Sequence, residues 1–452
     1  MATLAAMLKA RGFDVQGSDH GVYPPMSDFL AREQIRVFDG YDAANITSDI
    51  DLVVIGNAIS RGNAELETVL DRKVRYCSLP EAIRDQFLWD RRSIVIAGTH
   101  GKTTTTSMAA WVLTAAGEDP SLLVGGIASN FDGSFRLGSG RDFVIEGDEY
   151  DSAFFDKTAK FLKYLPDIAV IGNIEYDHAD IYPDMEALRI AFRRLINLVP
   201  RNGLVLLGAD CPECQKLTGT ARSKVETFGF SEGADWRASA VETSGDFTRF
   251  LVTYRDERLG YFEVPLYGQH NVRNAMAALA VANAAGVLTD RMREGLRSFM
   301  GVRRRLEKRG EARGVAVFDD FAHHPTAILE TIKAVKLTHP NRRVWAVFEP
   351  RSATACRKIF QNDFVRAFHE SGADEVVLAA VFRASLPEDE RLSVDAIVHE
   401  LKAKGVKART LPGADQIVEA IAHEARDGDI VVIMSNGGFD SIHTKLLTAL
   451  AR

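Results

Sequence analysis

A doubly wound α/β fold in three domains follows from three features of this chain. Short runs rich in Val and Ile recur along it, apolar at consecutive positions. Segments of helical period separate them. A length of 452 residues, at roughly 150 residues per domain, makes room for about three separate cores. Consecutive apolar positions mark strands buried on both faces, as in parallel sheets covered by helices. Such runs lie at 51–55, 93–97, 168–171, 315–318, 343–348, 375–378 and 429–433. Between them the spacing predicts helices, for example over 325–337, where Ile328, Ile332 and Val335 share one face.

Taken in order, residues 2–11 read as a helix closed by Gly12, and 13–17 as a strand ending in Ser18-Asp19. This is the second half of a Rossmann-type βαβ unit, with the acidic Asp19 closing the strand on the substrate side. The first strand and its glycine-rich turn should precede the helix. The expectation is therefore a Rossmann-like N-terminal domain lacking its first strand, and a natural chain longer by roughly ten to twenty-five residues. The charged stretch 89–92 and the pair Met300-Gly301 suggest boundaries, giving domains at 1–89, 90–300 and 301–452. The middle one is expected to be a P-loop-type parallel sheet with an antiparallel edge around 235–267, the last one Rossmann-like.

Composition narrows the function. Hydrophobic residues at 46% and charged residues at 26% exclude a collagen, a disulfide scaffold and an extended disordered chain. No apolar run approaches the ~18 residues of a membrane span, and the first residues lack the basic start and small-residue cleavage site of a secretion signal. A net charge of −7 is a poor footing for nucleic-acid binding. Cysteine is scarce (four residues), which points to a reducing, cytoplasmic setting. Cys211 and Cys214 have C-x-x-C spacing but lack two further zinc ligands at matching spacing, and are read as ordinary thiols.

The strongest chemical signal is the run 93–106, SIVIAGTHGKTTTT. A strand ends, a glycine-bounded loop turns, and a helix starts. Gly98 and Gly101 let backbone N–H groups of the Gly98-Thr99-His100-Gly101-Lys102-Thr103-Thr104 loop approach a phosphate chain. Lys102 supplies a charge for the β/γ phosphates, the Thr103 hydroxyl can bind Mg²⁺, and the helix dipole adds positive potential. The spacing is shorter than G-x-x-x-x-G-K-[ST], since Ile96 occupies the position five before Gly101.

Two more strands run into polar residues. FVIEGDEYD at 143–151 carries Glu146, Asp148, Glu149 and Asp151, and Glu146, straight off the strand, is the chosen Mg²⁺ ligand. IGNIEYDHAD at 171–180 places His178 among Asn173, Glu175, Asp177 and Asp180; with Glu146 it makes a second metal site, which requires the neutral imidazole. Further on, Asn271 and Asn274 lie at i, i+3 on a nascent helix and can face one ligand. The Arg303–Arg305 cluster can neutralise a transferring phosphoryl group. Asp320 and His323 close another strand, where α/β ligands bind.

In this order, GTHGKTT, EGDEYD, NIEYDHAD, GQHNVRNA, RRLE and DDFAHHP resemble the Mur ligases, over essentially the whole chain. That resemblance implies an ATP- and Mg²⁺-dependent enzyme that joins amino acids or peptides to UDP-N-acetylmuramate. It implies ATP and metal sites at Lys102, Thr103, Glu146 and His178, adenine near Asn271 and Asn274, Arg305 on the γ-phosphate, and ribose near Asp320 with His323 close by. Two family members use UDP-N-acetylmuramate itself, one adding L-alanine and one adding L-alanyl-γ-D-glutamyl-meso-diaminopimelate. The segments 17–19, 22–27, 56–63, 150–157, 348–352 and 435–439 resemble the tripeptide-adding member, and Arg351 is the expected peptide-binding residue. No nucleic-acid or membrane partner is expected, and the chain is expected as a monomer or weak homodimer. The rivals are the L-alanine-adding ligase, a P-loop switch or motor protein, and an NAD-dependent oxidoreductase. The last is weak, because no G-x-G-x-x-G is present.

Overall fold

The computed structural model of the protein describes residues 1–22, 26–382 and 386–452; residues 23–25 of the 22–27 segment lie outside the described residues. A ten-stranded sheet and a six-stranded sheet carry most of the strands. The N-terminal part adds two separate parallel pairs, Gln16–Asp19 with Arg36–Asp39 and Val53–Ile55 with Tyr76–Ser78. The strand expected at 13–17 starts later, at Gln16. The preceding helix, Ala2–Ala10, ends in a Schellman turn, with Gly12 N–H donating to Lys9 O and Phe13 N–H to Leu8 O. Phe13 is thereby tied to the helix end.

The ten-stranded sheet places the strand Arg92–Ala97 at its centre, between Asp142–Gly147 and Ile168–Ile171, parallel to both. Alternate residues of this strand face opposite cores. Ile94 and Ile96 pack with the helices Lys102–Ala115 and Gln269–Ala284; Val95 and Ala97 pack with Met185–Leu198 and with Leu4 and Met7 of the first helix. Both faces are covered, which is why the strands read as unbroken apolar runs. The polar stretch near 235–267 forms three antiparallel strands, Trp236–Ser244, Phe247–Tyr254 and Glu257–Val264, at one edge.

In the six-stranded sheet Ile430–Met434 lies between Val315–Asp320 and Val344–Phe348, parallel to both. Val344, Ala346 and Phe348 face one core, Trp345 and Val347 the other. Register fixes the functional geometry. Ala97 is level with Gly147 and Ile171, and Met434 is level with Asp320 and Phe348. Each sheet therefore delivers three loops to one edge. Among the described residues, no helix is long and apolar enough to cross a membrane.

Candidate active site

Gly98 and Gly101 have φ of +132° and +79°. A Cβ on Gly98 would come within 2.9 Å of Asn173 O, and one on Gly101 within 2.5 Å of Asn274 Oδ1. Glycine is thus required twice over, by backbone conformation and by close approach. The loop is clasped by the 173–175 segment. Thr99 N–H donates to Asn173 O, His100 N–H to Asn173 Oδ1, and the Thr99 hydroxyl to Glu175 O.

The helix Lys102–Ala115 begins with six consecutive hydroxyl or cationic residues that its packing buries or half-buries. β-branched threonines are weak helix formers, but their hydroxyls find partners. Thr106 Oγ1 donates to Lys102 O, Ser107 Oγ to Thr103 O, and Thr105 Oγ1 to Asn274 Oδ1. Asn274 Nδ2 continues to Asn271 Oδ1, and Asn271 Nδ2 to Tyr267 O. The two asparagines lie side by side, as their spacing requires, and tie the helix Gln269–Ala284 to the P-loop helix. Thr104, the remaining member of the loop, is buried.

Lys102 Nζ donates to Gly98 O at 2.8 Å and to both carboxylate oxygens of Glu149, at 3.0 and 2.8 Å. Glu149 is 1% exposed and also meets His178 Nε2 at 3.0 Å. Burial alone would lower the Lys102 ammonium, but the Glu149 carboxylate outweighs it and holds the group above its ordinary value. Burial likewise opposes a proton on His178, but its hydrogen bond to Glu149, together with the Asp177 charge, reverses the sign and raises the imidazole. His178 sits in the left-handed region at φ +56°, a costly conformation for a non-glycine residue. Its N–H is held by Asp177 Oδ1 and Thr354 Oγ1.

Beside this trio lies a second one. Thr103 Oγ1 donates to Glu146 Oε1 at 3.0 Å, Gly125 N–H donates to Glu146 Oε2 at 2.7 Å, and Arg305 Nη2 donates to Thr103 Oγ1 at 3.1 Å. Burial pushes the Glu146 carboxyl up, against the pull of Gly125 N–H, Lys102 and Arg305. A hydroxyl and a carboxylate are hard oxygen donors of the kind that hold Mg²⁺, and a buried, under-neutralised carboxylate is stabilised by such an ion.

Arg305 arrives from the other side of a seam. Ser129 N–H donates to Gly301 O and Arg303 N–H to Ile127 O, so the chain enters the six-stranded sheet pinned to the central one. Asp320 is buried and accepts from Leu306 N–H and Ala322 N–H, at 2.7 Å each. It holds the turn that carries Arg305, whose guanidinium stacks on Phe321. His323 Nδ1 lies 3.0 Å from Phe321 O, and burial pushes the His323 and His324 imidazoles down to about 4. Further along the same edge Arg351 stacks on Phe382 at 3.8 Å and lies 3.7 Å from Glu349. Glu349 accepts from Ser435 Oγ, and Gly437 closes against the Arg351 side chain. Asp19 stands apart from these loops, at the end of Gln16–Asp19, where Tyr41 donates to it.

Several partners are not apparent from the motifs. Glu149 is the lysine's partner although Glu146 leaves the strand first. Thr354, Thr326 and Tyr182 cross-brace the loops, with Tyr182 donating to Glu149 O and Thr326 to Glu175. Only tertiary register identifies them.

Comparison with known proteins agrees with this geometry. Residues 96–282 match the Mur ligase middle domain, 304–437 the Mur ligase glutamate ligase domain, and 1–87 the Mur ligase family catalytic domain. An Escherichia coli protein named UDP-N-acetylmuramate–L-alanyl-γ-D-glutamyl-meso-2,6-diaminoheptandioate ligase is 40% identical over 100% of this chain and 96% of its own. A Salinibacter ruber protein named UDP-N-acetylmuramate–L-alanine ligase is 36% identical over 97% of this chain and 90% of its own. The crystal structure of a murein peptide ligase from Psychrobacter arcticus is 35% identical, covers 100% of this chain and 96% of that one, and superposes with a TM-score of 0.73. By full-length similarity and by the convergence of both sheets on one phosphate-type loop, this chain belongs to the Mur ligase family.

Proposed function

We propose that this chain joins the lactyl carboxylate of UDP-N-acetylmuramate to the α-amine of L-alanyl-γ-D-glutamyl-meso-diaminopimelate, with hydrolysis of ATP to ADP and phosphate. The observation that carries the reading is Arg305 Nη2 on Thr103 Oγ1 at 3.1 Å, which brings a cation from one sheet onto the P-loop hydroxyl of the other. The relative at 40% identity over the full chain supports the tripeptide as second substrate. We divide the chain at 1–89 for the UDP-sugar, 90–300 for ATP and 301–452 for the peptide, and read it as a cytoplasmic enzyme.

A carboxylate does not acylate an amine at neutral pH, because its leaving group is poor. The carboxylate oxygen instead attacks the γ-phosphorus, the bond to the β-phosphate oxygen breaks, and ADP departs. The amine, once deprotonated, attacks the resulting acyl carbon, and phosphate leaves as the amide forms. The first step brings an anion to a polyanion. Lys102 and Arg305 are placed to offset that repulsion, each by several kcal/mol at roughly 10²–10³ in rate. Glu149 fixes Lys102 in place, and Asp320 fixes the turn of Arg305. Thr103 and Glu146 would hold Mg²⁺, and His178, engaged by Glu149, would reach the ion only by leaving that partner; the ion would supply charge neutralisation at the phosphates. With Nδ1 donating to Phe321 O, neutral His323 keeps Nε2 as an acceptor. Asp19 remains the expected contact for the UDP-sugar and Arg351 for a peptide carboxylate.

The test is product formation from ATP, Mg²⁺ and UDP-N-acetylmuramate with either tripeptide or free L-alanine, read by mass. The proposal expects the tripeptide adduct. An L-alanine adduct formed more efficiently would favour the rival ligase, and ADP release without any UDP-sugar would favour a switch or motor.

A further inference from the structure

A second cluster of ligand-type side chains lies a few residues from the Mg²⁺-type oxygen pair, and the reaction does not use it. His100 Nε2 lies 3.3 Å from Glu175 Oε2, and His324 Nδ1 lies 3.6 Å from the same oxygen. All three ligand atoms fall within 4.8 Å of one another. We infer that His100, Glu175 and His324 form a zinc-type transition-metal site that spans the seam between the two large sheets.

Three physical arguments support it. The first is spacing. Zn²⁺ binds imidazole and carboxylate at about 2.0–2.2 Å, so the edges of its tetrahedron are roughly 3.3–3.5 Å. Two of the three edges have about that length. The second is the donor set. Two imidazoles and one carboxylate match zinc sites that keep a fourth position for water, whereas Mg²⁺ prefers oxygen alone. The third is the surrounding support. His324 Nε2 faces Tyr176 O at 3.3 Å, which places that proton outward and leaves the Nδ1 lone pair toward Glu175. Thr326 Oγ1 donates to Glu175 Oε2, fixing the carboxylate. An ion would replace two long contacts, Thr326 N–H to His324 Nδ1 at 3.4 Å and His100 Nε2 to Glu175 Oε2 at 3.3 Å.

The consequence is a cross-link. His100 belongs to the P-loop and Glu175 to the adjacent loop of the central sheet, whereas His324 caps the helix Pro325–Thr338 beyond the six-stranded sheet. A bound ion would tie the P-loop to the peptide side and hold the seam shut, so it should slow turnover while stabilising the fold.

The experiment is titration of the full chain with Zn²⁺ against a chromophoric chelator in excess Mg²⁺. A Cys211→Ser/Cys214→Ser background removes the thiol pair as a competing site. The site predicts one equivalent of Zn²⁺, weakened by at least ~10-fold in Glu175→Gln and in His324→Gln. These variants retain hydrogen-bonding groups, so they are expected to stay folded. Zn²⁺ should also raise the Tm of the background protein but not of either variant. Binding that is absent from the background protein, or equal in the variants, would overturn the site.

Discussion

The edges of the two large sheets are built alike and furnished differently. At the central edge, polar and charged side chains from the P-loop helix and the neighbouring strand ends and loops satisfy one another: Lys102 with Glu149, Glu149 with His178, and Glu146 with Thr103. At the second edge the carboxylates serve the scaffold. Asp320 holds Leu306 and Ala322 N–H, and Glu349 holds Ser435. What that edge offers outward is cationic, Arg305 toward Thr103 and Arg351 on Phe382. One edge is thus suited to hold a nucleotide and its metal, the other to bring positive charge to anions. Asp320, expected near the ribose, is already engaged by two backbone N–H groups, and its clearest effect is on where Arg305 sits.

The largest effect should come from Lys102→Ala. Removing the ammonium leaves Glu149 buried with only His178, so stability should fall by about 3–5 kcal/mol as turnover is lost. Urea unfolding and ADP release measure both; unchanged values would break the central-edge half of the comparison. Next, Arg305→Ala should lower kcat by roughly 10²–10³ with little change in stability, because its guanidinium crosses the seam. Arg351→Ala should raise KM for the peptide about tenfold and leave KM for ATP unchanged; a matching rise for ATP would blur the division between the edges. The smallest effect concerns the support below the loop. Cys211 accepts Ile174 N–H at 3.4 Å, and hydrogen bonding from Cys214 lowers its thiol to about 6, whereas Cys214 is raised. The Cys211 thiolate should dominate at pH 7, and alkylation should follow a midpoint near 6 that moves up in Cys214→Ala.

Much of this was legible in the residues. Doubly buried strands show as unbroken runs such as 93–97 and 429–433, and glycine-bounded turns mark the phosphate loop. Glu146 and His178 stand out because an apolar run leads into each, Glu146 near the end of the strand Asp142–Gly147 and His178 in the polar loop after Ile168–Ile171. Glu149 as the partner of Lys102 does not, because the choice among four neighbouring carboxylates depends on how 148–150 turns after the strand. Thr354 is 176 residues from the His178 N–H it receives, and no local pattern reports such a contact. The N-terminal strands were harder still: a Schellman turn displaced the first of them to Gln16.

The central claim is that the two edges act as one site, joined where Arg305 meets Thr103. A double-mutant cycle on ADP release, with Thr103→Ala, Arg305→Ala and the pair, tests it most directly. The account predicts a coupling of about 1–3 kcal/mol, with the double variant losing less than the sum of the singles. Losses that add to within roughly 0.5 kcal/mol would contradict it.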